Sequence, residues 1–188
     1  FQSAKGTFES RPGLIYNLGY EKFWARENLN DPNANIGYLA ADEFAMLAPI
    51  TEWIKNLKGG FLLTILCSVS QDPYEVPQWF AAPAKEPVER YRQVVSYTDK
   101  FIAALDARLA EMELADNTVL CVIGDHGEAF GEHGQMGHER IGFEEALKVP
   151  FVLRAPGLAE PGTKITAPVS SVDLTPTLGR PLPPVSPA

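Results

Sequence analysis

Thr118-Val119-Leu120-Cys121-Val122-Ile123-Gly124-Asp125-His126-Gly127-Glu128 joins a β-branched, apolar run to an acid and an imidazole flanked by glycines. The first six residues predict a buried strand. The residues after them predict a site, because functional groups in open α/β sheets gather beyond the carboxyl ends of the strands. Upstream, Glu89 to Met112 places Val94, Thr98, Phe101, Ile102, Leu105, Leu109 and Met112 along one stripe, which predicts a long amphipathic helix. Asp116-Asn117 turns the chain into the strand. Further back, Phe61 to Leu66 follows Gly59-Gly60 and predicts another strand, buried on both faces. Asp42 to Leu57 carries Phe44, Leu47, Ile50, Ile54 and Leu57 at helical spacing, with Pro49 as a candidate kink. Downstream, Val149 to Leu153 supplies a third strand. Strand, long helix and strand make a right-handed crossover unit, so the expected fold is α/β, a mostly parallel sheet with helices on both faces.

Composition narrows the function classes. The chain has 188 residues and a formal net charge of −8, with 45% apolar residues, the profile of one ordinary globular domain. That domain is expected over residues 1–179. Residues 180–188, four of them Pro, read as an extended tail. The acidic balance, with no cluster of Lys or Arg, argues against nucleic acid as a partner. No run of about 18 apolar residues is present, so no membrane span is expected in the chain. The first residues lack the apolar core of a signal peptide. With no initiator Met ahead of Phe1, the chain is expected to be a piece of a longer protein. Cys67 and Cys121 each sit in an apolar run and read as buried free thiols rather than a disulfide framework.

All three histidines, His126, His133 and His138, fall within thirteen residues and alternate with carboxylates and glycines. Asp125 and His126, side by side at a strand end, are the candidate metal ligands. Oxygen plus nitrogen donors suit one divalent ion such as manganese, zinc or calcium. His138 is the next candidate, whereas His133 reads as structural. Glu128 and Glu132 are expected either behind the ligands or in solvent.

The run N-T-V-L-C-V-I-G-D-H-G-E-A-F-G-E-H-G-Q-M-G-H from Asn117 is followed by F-E-E-A-L-K-V-P-F-V-L-R-A-P-G from Phe143 and V-S-S-V-D-L-T-P-T-L from Val169. These three ordered blocks resemble the second half of a sulfatase-family catalytic domain, of the alkaline-phosphatase-like superfamily. Gly6-Thr7-Phe8-Glu9-Ser10-Arg11, with Asn17-Leu18-Gly19-Tyr20, resembles the branch of lipoteichoic acid synthases and related phosphoglycerol transferases. The resemblance implies a metal-dependent hydrolase or transferase acting on a sulfate ester or phosphodiester, with an anionic small-molecule or lipid-linked substrate and an extracytoplasmic location. It implies Asp125 and His126 as metal ligands, His138 as an anion contact and possible leaving-group acid, and Arg11 as a substrate clamp. A planar guanidinium suits that clamp because it presents a fork of donors to two anionic oxygens.

Two departures qualify the resemblance. The family's nucleophile lies ahead of all the blocks matched here, and neither cysteine has the Pro-x-Arg or Ala-x-Arg context of sulfatase maturation. In Ser70-Gln71-Asp72-Pro73-Tyr74, Gln71 stands where the family places a His against the substrate anion. An amide there can bind an oxygen but cannot donate a proton at useful pKa. The alternative is therefore a non-catalytic fragment or degenerate homologue that keeps the fold, with or without the metal pair. A phosphomutase or alkaline phosphatase of the same superfamily fits less well, since those enzymes need more His and Asp ligands.

Overall fold

The computed structural model describes residues 1–29, 31–138 and 142–179. Among them the helices are α1 (Arg11–Asn17), α2 (Leu47–Lys55), α3 (Pro87–Glu111), α4 (Glu144–Leu147) and α5 (Leu174–Leu178). The strands are β1 (Asn35–Ile36), β2 (Ala40–Ala41), β3 (Leu120–Ile123), β4 (Ala129–Phe130), β5 (Met136–Gly137) and β6 (Phe151–Arg154). The chain divides after Met112 into two compact units. The proposed tail, 180–188, lies outside the described residues.

In the first unit α3 carries the core. Val94, Tyr97, Phe101, Leu105 and Leu109 recur every three or four residues and are buried as one stripe. Pro87 starts the helix at a position where its fixed φ suits and its missing N–H costs nothing. Against α3 pack α2, which buries Leu47, Ile50 and Ile54, and the 3₁₀ turn Glu43–Met46. The Phe44 ring lies 5.1 Å from Trp79, 5.5 Å from Tyr97 and 5.8 Å from Phe101. Burying a side chain of that size stabilises by roughly 1.5–3 kcal/mol. The helix expected over 42–57 is thus a 3₁₀ turn followed by α2. Pro49 falls in the first turn of α2, where amide hydrogens have no intrahelical acceptor, so it requires no kink.

Phe61 to Leu66 departs from expectation. It forms no strand among the described residues, and its pairing is a single parallel bridge, Gln2 with Leu66. Leu66 N donates to Phe1 O (3.0 Å) and Ser3 N donates to Leu66 O (3.1 Å). Leu62 is exposed, so the run is not buried on both faces as the sequence predicts. The apolar run has water on one side, and its alternate residues take the half-buried positions.

The second unit corrects the strand direction. β3 and β6 pair antiparallel, Leu120 opposite Arg154 and Ile123 opposite Phe151. The other named pairs, β1 with β2 and β4 with β5, are antiparallel too. A mostly parallel sheet is therefore not what these strands form. The reason lies in the connection: parallel strands need a crossover of a dozen residues or more, usually helical, and among the described residues between β3 and β6 the only α-helix is the four-residue α4. The block beginning at Val169 also finds a local role. Ser170 and Asp173 form a capping box leading into α5, with Ser170 N donating to Asp173 Oδ2 at 3.1 Å. Among the described residues no helix is long and apolar enough to cross a membrane.

Candidate active site

β3 delivers the chain to Gly124, whose N–H donates to Pro150 O at 3.1 Å and extends the β3–β6 ladder by one step. Three residues on, Gly127 N donates to Ala146 O at 2.8 Å, which pins the loop to α4. A Cβ at Gly127 would sit 1.9 Å from Glu145 O, so only glycine permits this approach. The pinned Gly127 carbonyl lies 2.8 Å from His126 Nδ1. A carbonyl only accepts, so Nδ1 supplies the hydrogen of that bond, and in the neutral ring Nε2 is the nitrogen with the lone pair. That Nε2 lies 3.8 Å from Asp125 Oδ1, which also accepts from His126 N at 2.9 Å. The Asp125 side chain is 85% exposed, and the His126 ring is half-buried.

Asp125 and His126 thus place a carboxylate and imidazole Nε2 side by side, 3.8 Å apart. In donor chemistry they fit a divalent ion, with the imidazole oriented by a backbone acceptor as metal-binding histidines usually are. In number they form part of a shell: among the described residues no three His, Cys, Asp or Glu side chains converge where an ion could be held.

The β4–β5 hairpin returns His138 to the same place. Its ring stacks on His126 with centroids 3.9 Å apart and planes 23° apart. His138 Nδ1 lies 3.2 Å and 3.3 Å from the two carboxylate oxygens of Glu128, which is buried. His133 contacts α4 and the residue before it instead. Its Nδ1 is 2.8 Å from Glu145 Oε1, and its ring lies flat on Phe143 at 4.2 Å. The His133 hydrogen bond holds the Glu145 carboxyl below the usual carboxylate range. Glu132 accepts from Phe130 N at 2.6 Å, within the turn.

The other expected contacts lie in the first unit. Arg11 opens α1, pairs with Glu9 two residues before it, and has its guanidinium 5.9 Å from the Phe8 ring centroid. Gln71 sits in the turn before the cis Asp72-Pro73 bond, where its N–H donates to Ser68 O at 3.3 Å. It lines a small pocket with Ile36, Tyr38, Leu39 and Pro73.

A polar cluster in the same unit has no counterpart in the sequence reading. Glu43 is fully buried, and its Oε1 accepts from Ser68 N (2.7 Å), Val69 N (3.2 Å) and Ser3 Oγ (3.2 Å). Burial pushes its carboxyl up to about 7 against those hydrogen bonds. Burial and the neighbouring Glu43 push the Cys67 thiol up as well, and burial alone raises Cys121. Both cysteines are free, as expected, but half-buried rather than buried.

The family model described as Sulfatase matches residues 1–180. This chain belongs to the sulfatase family. A choline-sulfatase of Rhizobium meliloti is 35% identical over 98 residues, covering 50% of this chain and 19% of the relative. Lipoteichoic acid synthase 1 of Bacillus subtilis is 23% identical over 163 residues, covering 80% of this chain and 26% of the relative. The chain therefore spans about a fifth to a quarter of each. The crystal structure of the lipoteichoic acid synthase LtaP from Listeria monocytogenes superposes with a TM-score of 0.69 at 20% identity, over 85% of this chain and 43% of that one. This sulfatase-family chain thus shares its α/β fold with the lipoteichoic acid synthase branch.

Proposed function

We propose that this chain carries part of the active site of a metal-dependent hydrolase or transferase that acts on a sulfate ester or a phosphodiester. Asp125 and His126 would hold one divalent ion, manganese, calcium or zinc, and His138 would contact the tetrahedral anion and serve as leaving-group acid. Arg11 and Gln71 would bind substrate oxygens, Arg11 sharing its guanidinium donors between Glu9 and the anion. Bound there, the ion would supply Lewis-acid polarisation of an anion oxygen, commonly worth several kcal/mol of barrier. The chain's own residues would orient the ester and neutralise its charge. The nucleophile would come from sequence outside this chain, and the substrate would be small or lipid-linked and met outside the cytoplasm.

The observation that carries this reading is the orientation of the His126 ring. Gly127 O holds Nδ1 at 2.8 Å, which turns Nε2 toward the Asp125 carboxylate, 3.8 Å away. The test is Asp125→Ala in the full-length protein, with metal content measured by mass spectrometry and turnover on an aryl sulfate and an aryl phosphodiester. Metal and turnover should be lost together, and retention of both would defeat the assignment. A second reading, a degenerate homologue that binds an ion without chemistry, draws on Gln71 in place of a proton-donating His. Bound metal with no turnover in the wild-type protein would favour it.

A further inference from the structure

The β4–β5 register does more than close a turn. Ala129 pairs with Gly137 and Phe130 with Met136, so the next pair toward the open end of the hairpin is Glu128 opposite His138. At the other end, Gly131 N donates to Gln135 O at 2.8 Å and fixes the loop length that sets this register. The Glu128 side chain is only 3% exposed, and both of its oxygens face His138 Nδ1, at 3.2 Å and 3.3 Å. An ionised carboxylate only accepts hydrogen bonds, so it selects the imidazole tautomer with hydrogen on Nδ1. The stack on His126 fixes the plane of the His138 ring, and Glu128 fixes its rotation within that plane.

We propose that Glu128 is a positioning residue for His138, holding its Nδ1–H tautomer so that Nε2 is presented in one orientation. This rests on the reading of His138 as an anion contact. The function of the hairpin is then to bring a buried acid opposite that histidine, and its length is set by that task.

The test uses Glu128→Gln in the full-length protein. The change is isosteric, so the hairpin packing is kept, but the amide offers a donor as well as an acceptor and no longer selects one tautomer. Ring ¹⁵N NMR of His138, in its neutral form, should give the Nδ1–H tautomer in the wild type and a mixture in the variant. With the mixture, kcat/KM on the aryl ester that the protein turns over should fall roughly tenfold, the low end for loss of a partner that orients a site histidine. An unshifted tautomer in Glu128→Gln overturns the proposal, as does a shifted tautomer with unchanged kcat/KM. His138→Ala separates the two levels: unchanged turnover in that variant overturns the anion-contact reading itself, independently of what the NMR reports for Glu128.

Discussion

Glu43 and Asp125 each lie two residues past a strand, β2 in one case and β3 in the other, yet the molecule treats them in opposite ways. Glu43 is fully buried, and its one satisfied oxygen collects three hydrogen bonds from residues distant in sequence. Asp125 is 85% exposed at its side chain and, among the described residues, accepts from the N–H of the next residue. The first acid ties Ser3, the 3₁₀ turn and residues 68–69 into one core. The second is held clear of the core on a loop whose backbone, not its side chains, is anchored. Burial thus separates an acid that builds from an acid that is free to bind.

The most damaging way to break this contrast is to attack the anchor of the exposed site. Gly127→Ala would drive a Cβ to within 1.9 Å of a backbone oxygen, which no side-chain rotation can relieve. The second unit should lose roughly 3 kcal/mol or more of stability, since large effects of this kind arise from steric overpacking at closed sites. Urea denaturation with hydrogen exchange at Leu120–Ile123 would measure it. Full retention of stability would mean that the α4 contact does not hold the loop.

The buried acid makes a prediction in pH. The folded Glu43 carboxyl is pushed up to about 7 from its ordinary 4.5, so the folded state holds a proton that the unfolded state has released between those values. Its contribution to stability is fully present below pH 4.5 and is lost as pH rises through about 7. The loss is on the order of 3 kcal/mol in the first unit. Glu43→Gln keeps the shape and cannot ionise, so it should flatten the fall in stability between pH 5 and 7.5. An equal slope in the variant and the wild type would place the titration elsewhere.

The contrast also explains what the sequence disclosed. The α3 stripe was legible because Val94, Phe101, Leu105 and Leu109 follow the helical period without interruption. Asp125, His126 and His138 were legible because glycines and polar groups crowd directly after an apolar run. Strand direction was not legible. The runs around Leu120 and Phe151 have the apolar composition of parallel strands, and their antiparallel pairing goes with a connection that has no long helix among its described residues. Glu43 was hidden because an acid in the first turn of a predicted helix already has a reason to be there in the helix dipole. Nothing local announces that Ser3, Ser68 and Val69 will converge on it. The Glu128–His138 pair stood in the sequence as a register but became visible only once the turn at Gly131–Gln135 fixed that register.

The smallest expected effect comes from the exposed side of the comparison, at His133. Its contacts with Glu145 and Phe143 lie at the surface, where ion pairs contribute little, and its backbone sits at φ 49 in the left-handed region. For a residue with a side chain, that conformation costs on the order of 1 kcal/mol. His133→Ala removes the contacts and keeps the strain. His133→Gly removes the contacts and relieves the strain. Thermal melts should therefore place the Gly variant within about 2 °C of the wild type and the Ala variant below it, with the gap between the variants reporting the backbone term alone. If both variants fall together by much more than that, the His133 contacts are structural in the manner of Glu43, and the loop is held by its side chains after all.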